Sequence, residues 1–221
     1  MEKFRPVRSL GIAASVLAGL TALGNVGEAA ADWFNYTAIR GYRDGTATAS
    51  DLDTADKVNV VVGTPAFLLT LAAGVVFVVW LYNARVNAER LTPAAEHRRS
   101  RTWVWLGWFV PFVNLWYPKQ VVDDVWRASD PQQQGVPLQQ RVQHKLVTQW
   151  WIAFVLMWIM DRAYLHSYRN GMLTTDSFLT TAIFSTLSAI AGVVAAVLVV
   201  QVVKRISDFQ SSPLPVQSSS D

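Results

Sequence analysis

Uncharged, mostly apolar residues run through this chain in long blocks, not in the alternating or face-by-face patterns of a soluble domain. Residues 9 to 27 carry no charge over 19 positions, residues 58 to 84 none over 27, and residues 177 to 203 none over another 27. A fourth block extends from Leu146 to about Leu165, with Asp161 and Arg162 near its far end. At 1.5 Å per residue, about 20 apolar residues cross the roughly 30 Å hydrocarbon core of a bilayer. The pattern therefore predicts an all-α fold, an integral membrane helical bundle of four transmembrane helices. The first lies within residues 1–57; the others occupy about 58–82, 146–165 and 178–203 of a membrane domain covering 58–210. Small residues recur along two of these blocks, Gly11, Ser15, Gly19 and Ala22 in the first and Ser185, Ser188, Ala189, Gly192 and Ala196 in the last. Such stripes let membrane helices approach closely.

A further stretch, Thr102 to Pro118, is uncharged over 17 residues but holds Pro111 at its centre. The distribution of basic residues decides how to treat it, because Lys and Arg gather on the cytoplasmic side. Four spans place 14 of them inside and 5 outside, whereas a fifth span at 102–118 makes the split 10 to 9 and erases the asymmetry. Both termini are then cytoplasmic, and residues 102–129 form a cytoplasmic-side re-entrant or interfacial segment. Trp103, Trp105, Trp108, Trp116 and Tyr117 suit a headgroup-level position. After Pro118, Val121, Val122, Val125 and Trp126 share one helical face, and Gln120, Asp123, Asp124 and Arg127 the other. This predicts a short amphipathic helix on the membrane surface, with a weak Asp123–Arg127 pair at i, i+4. Residues 33–57 are expected to be an acidic outer loop, 129–141 a flexible polar linker, and 211–221 a disordered tail.

Composition reinforces the membrane assignment. Hydrophobic residues make up 52% of the chain and charged ones 16%, against roughly a quarter charged in a soluble domain. Cysteine is absent, which excludes disulfides, thiolate metal sites and cysteine nucleophiles. One alternative concerns the first block: Lys3, Arg5 and Arg8 precede it and Ala29-Ala30-Ala31 follow, as in a cleaved signal peptide ending near residue 31. Its length favours an uncleaved helix, since signal cores run to about 15 residues.

The run Gly107-Trp108-Phe109-Val110-Pro111-Phe112-Val113-Asn114-Leu115-Trp116-Tyr117-Pro118, followed by Trp126-Arg127, resembles the domain-of-unknown-function family 4328, small multi-span membrane proteins found largely in actinobacteria. The resemblance covers roughly residues 55 to 207 and rests on Gly107, Trp108, Pro111, Asn114, Leu115, Pro118, Trp126 and Arg127. It implies a bacterial inner (plasma) membrane location and brings no activity or catalytic residue with it. On physical grounds, Pro111 removes a backbone donor and frees a carbonyl one turn earlier, and Asn114 offers groups that could satisfy such orphans. A re-entrant hairpin with limbs 102–110 and 115–126 follows; a kinked helix is the alternative.

Ionisable residues within spans are costly and are functional candidates. Glu28 and Asp32 lie i, i+4 at the outer end of the first helix, and Asp161 and Arg162 at the outer end of the third, so an intramembrane ion pair bridged by Arg162 is one reading. Helix ends wetted at the interface are the other. Arg98, Arg99 and Arg101 form a basic cluster able to attract anionic lipid headgroups. His97, His144 and His166 are too scattered for a metal site, no catalytic or cofactor motif is present, and nothing points to nucleic acid. The expected role is a membrane-embedded interaction or regulatory component, with a membrane-protein partner or a second copy. A small transporter or channel and a lipid-modifying enzyme stand as alternatives.

Overall fold

The structure is a computed structural model that describes residues 4–170 and 175–211. The tail expected to be disordered lies outside the described residues, except Ser211. The described residues are helical, without strands: α1 (Arg8–Arg43), α2 (Ala49–Leu91), α3 (Trp103–Leu106), α4 (Tyr117–Ser129), α5 (Lys145–Asn170) and α6 (Thr175–Ser211), with single 3-10 turns between some of them.

Three of these, α1, α2 and α6, are long and apolar enough to cross a membrane. The remaining expected span, α5, is 26 residues long, and its tryptophans, Gln149, Asp161 and Arg162 dilute its hydropathy. Most of the expected outer loop is helix, because α1 continues to Arg43 and α2 begins at Ala49. Local chemistry allows so short a connection. Gly45 takes φ +76°, a left-handed conformation that costs glycine little, and the amides of Thr46 and Ala47 return to the Gly41 carbonyl at 2.8 and 3.0 Å. Asp51 then accepts the Thr48 amide (2.7 Å) and hydroxyl (2.8 Å), capping the start of α2.

The chain divides into two compact units. The first comprises residues 1–14, 76–147 and 201–221. Its interior holds Trp80, Leu81, Val121, Val122, Val125 and Ile206. Gln210 binds the Ala84 carbonyl (2.9 Å) and the Ser129 hydroxyl (2.7 Å), and accepts from Asn87 at 3.1 Å. Asn87 also exchanges hydrogen bonds with the backbone of Arg5, 2.9 Å each way. Gly11 belongs here, since a Cβ at that position would stand 2.7 Å from Ser207 Oγ.

Two expectations are corrected in this unit. The α4 helix is not a surface helix: Asp123, Asp124 and Arg127 are as buried as the valines. Its polar face meets protein, because other arginines reach it. Asp124 accepts from the backbone and side chain of Arg98 (both 2.8 Å) and from Arg127 (2.7 Å). The pair with Arg127 is thus Asp124 at i, i+3, while Asp123 lies 3.3 Å from Arg98 and 3.6 Å from Lys119. Nor is 129–141 a flexible linker. Leu138 is buried, its amide donates to Glu96 at 2.7 Å, and Arg141 donates to the Arg127 carbonyl at 2.9 Å.

The second unit comprises residues 15–75 and 148–200. Here α1 and α2 approach through small residues: a Cβ on Gly24 would stand 3.0 Å from that of Ala66, and one on Gly27 3.2 Å from Val62. The small-residue face expected on α6 is largely buried at Ser185, Ser188, Ala189 and Gly192. Gly19, by contrast, faces open space. Large apolar side chains point outward from every long helix, among them Leu23, Val61, Ile152 and Ile190. A surface of that kind is stable in hydrocarbon and exposed to water only at high cost.

Candidate functional site

Within the second unit, cavity-lining residues, most of them polar, fall along each helix at alternating steps of three and four. On α1 they are Thr21, Asn25, Glu28, Asp32 and Asn35; on α2, Asp56, Asn59 and Gly63; on α5, Met157, Asp161 and Tyr164; on α6, Thr181, Ser185 and Ser188. A 3.5-residue repeat keeps one stripe facing the partner helices of a bundle. The four stripes converge on a cavity of about 640 Å³. Glu28 is within electrostatic reach of both Asp32 and Asp161. Ser185 pairs with Asp32, and the Ser188 hydroxyl donates to Asp161. Indole Nε1 of Trp33 donates to Thr186 Oγ1 at 2.9 Å, tying α1 to α6 beside the cavity carboxylates.

The structure therefore brings together three of the four residues singled out as an intramembrane ion pair. Arg162 reaches Asp161 with its charge but does not join them in the lining. It is exposed, its guanidinium 5.0 Å from the Trp158 ring centre. The described lining includes four carboxylates, from Glu28, Asp32, Asp56 and Asp161, and no Lys, Arg or His. Among the described residues no group of His, Cys, Asp and Glu is arranged to hold a metal ion. Asn25, Asn35 and Asn59 were not singled out from the sequence, although the three-four spacing that joins Asn25 and Asn35 to Glu28 and Asp32, and Asn59 to Asp56, is readable there.

In the first unit, residues 102–118 contain no helix longer than the four residues of α3. They form a hairpin. The chain leaves α3, turns at Phe109–Phe112 and returns through a 3-10 turn at Val113–Leu115 into α4. Phe112 takes φ +63°, and Trp103 packs edge-on against Tyr117, ring centres 4.6 Å apart. Gly107 lies in the fold of the hairpin, where a Cβ would come within 2.7 Å of the Trp103 carbonyl. Trp108 meets Phe77 edge-on at 5.9 Å. Pro118 occupies the first turn of α4, and Trp126 stacks on His144 at 4.7 Å. Asn114 donates its backbone amide to the Val110 carbonyl at 3.1 Å, a bond within the turn that does not involve the Gly107 carbonyl one turn before Pro111. Phe109 and Phe112 are each 78% exposed.

A family model described as a domain of unknown function (DUF4328) matches residues 43–208. The chain belongs to that family. The match to DUF4328 takes in α2 through most of α6 and extends beyond the residues 55 to 207 expected from the motif. Asp56, Asp161 and Ser185 lie inside the DUF4328 range, while Glu28 and Asp32, on α1, precede it. No curated protein and no solved structure matches the chain.

The arginines of the basic cluster each have a protein partner in this DUF4328 member. Arg98 holds Asp124, Arg99 donates to Gln120 at 2.8 Å and covers the Tyr117 ring at 3.7 Å, and Arg101 pairs with Glu89. His97 is buried beneath them with neither ring nitrogen hydrogen-bonded. Burial, and after it the Arg85 charge, pushes the imidazole down from its ordinary value to about 4.

Proposed function

We propose that this protein is a four-span plasma-membrane component that binds a small cationic solute in the acidic cavity and serves as a membrane-embedded regulatory or interaction module. The observation that carries the binding role is the lining itself, carboxylates from all of α1, α2 and α5 with no Lys, Arg or His among the described lining residues; the Arg162 charge reaches Asp161 from an exposed position outside that lining. Glu28, Asp32 and Asp161 are half-buried and Asp56 is exposed; like charges gathered in a partly desolvated space repel and call for a counter-charge or for protons. A solute cation supplies that counter-charge reversibly. The outward apolar face of α5, with Ile152, Leu156 and Ile159 exposed at helical spacing, supports its role as the fourth crossing helix. The same polar stripes within spanning helices favour a carrier as the second reading, because a carrier needs polar groups at membrane depth.

The test is thermal unfolding of the full chain in detergent, with potassium, magnesium or an organic ammonium salt at matched ionic strength. Ligand binding to the folded state raises the midpoint by mass action. One class of cation is expected to raise it, and Asp32→Asn and Asp161→Asn to remove that dependence. Equal midpoints in all salts, with both variants more stable than the parent, would overturn the proposal.

A further inference from the structure

Resting on that cation-binding reading, we infer that the cavity selects an organic ammonium compound with an apolar body over a metal ion. Three features of the second unit point there. The lining is mixed: beside the carboxylates stand Phe67, Phe178, Tyr164, Met157 and Leu165. A bare metal ion gains nothing from such surfaces, whereas an ammonium group is attracted to aromatic faces and its carbon skeleton to the apolar wall.

Second, the volume is large for an ion. A metal ion occupies a few tens of Å³ at most and is held by ligands that converge to about 2–2.6 Å. About 640 Å³ instead falls in the range of small-molecule pockets, roughly 300 to 1,000 Å³. The carboxylates also do not converge as metal ligands do among the described residues.

Third, neutral polar groups are left open toward the same space. Asn35 is 9% exposed and lines the cavity, and its side-chain amide has no hydrogen-bond partner among the described residues. The Thr21 hydroxyl, also on the lining, is buried and unpartnered. An unmade hydrogen bond on a buried amide or hydroxyl costs about 1–3 kcal/mol, so these groups are groups for a ligand to satisfy. An ammonium N–H donates to the Asn35 carbonyl oxygen as well as to the Asp32 carboxylate one turn away; Thr21, about 21 Å further along α1, is open to another part of the cavity. The polar end of the ligand therefore lies at Asp32 and Asn35, one turn apart on α1, and its apolar end against Phe178 on α6.

Isothermal titration of the purified full chain in detergent tests this with 2-phenylethylammonium, potassium and magnesium chlorides. The ammonium compound is expected to bind and the metal salts not to compete beyond their ionic strength. Asp32→Asn should weaken it by about tenfold or more, the scale of a lost charged hydrogen bond. Phe178→Ala, at a half-buried position on the cavity wall, should weaken it about threefold. Binding of potassium or magnesium in place of the ammonium compound would overturn this inference and leave cation binding standing. Binding of none of the three would overturn both. Ammonium binding that Asp32→Asn and Phe178→Ala both leave unchanged would place the ligand elsewhere and overturn the inference also.

Discussion

His97 is enclosed by charges it cannot answer. Arg85 and Glu89 approach it from α2 and Asp124 from α4, yet neither imidazole nitrogen makes a hydrogen bond. A histidine held neutral to about pH 4 makes stability fall as the solution is acidified. Below its unfolded value near 6.5, the unfolded chain takes up a proton that the folded chain refuses. The loss begins near pH 6.5, grows as pH falls toward 4, and is worth up to about 3 kcal/mol. Unfolding midpoints in detergent from pH 7 to pH 4 should therefore drop more steeply for the parent chain than for His97→Gln. Parallel curves would show that the imidazole titrates freely. Nothing in the sequence marked this residue, because the burial of His97 depends on Arg98 reaching Asp124 across a gap of 26 residues.

At the scale of the element, α4 shows why a polar stripe does not by itself mean water. Its valines and Trp126 read correctly as an apolar face, and Gln120, Asp123, Asp124 and Arg127 as a polar one. The polar face was legible; its partners were not, since Arg98, Lys119 and the Leu138 and Arg141 carbonyls come from other segments or turns. The family motif gains its physical content here. Gly107 closes α3 where a side chain would press on the Trp103 carbonyl, Pro118 starts α4, and Arg127 closes the loop of residues 138–141. An ion pair buried this deeply is costly to break from one side, about 3–5 kcal/mol when one partner is removed. Asp124→Asn should cost that much, leaving Arg98 and Arg127 to share a neutral amide. Chemical denaturation of the detergent-solubilised variant would read it, and a loss under 1 kcal/mol would mean that the α4 charges are solvated after all. The α1 stripe is the complementary lesson. Asparagines at steps of three and four pass unnoticed in an uncharged block, because the absence of charge was the signal being sought.

For the whole molecule, the open matter is how many helices cross. Apolar block length made α1, α2 and α6 legible, and their outward side chains agree with it. The hairpin of residues 102–118 could not be drawn from block length, since its break lies at Pro111 and the left-handed Phe112. Without a continuous helix there, a fifth span has no means of satisfying its backbone in hydrocarbon. The choice is then between four spans and three, and it turns on α5. If α5 crosses, the connection at 44–48 and the start of α6 lie on one side and the loop of residues 131–133 on the other. If it does not, the start of α6 joins residues 131–133. The absence of cysteine makes the experiment clean. Single variants Thr46→Cys, Gln132→Cys and Asp176→Cys, all at exposed positions, would be treated on intact cells with a membrane-impermeant thiol reagent. Four spans predict labelling of Thr46→Cys and Asp176→Cys from outside, and of Gln132→Cys only after permeabilisation. Asp176→Cys behaving like Gln132→Cys would reduce the count to three. It would also remove α5 from the bilayer, placing Asp161 and the cavity it lines outside the hydrocarbon, where four carboxylates need no bound cation to coexist.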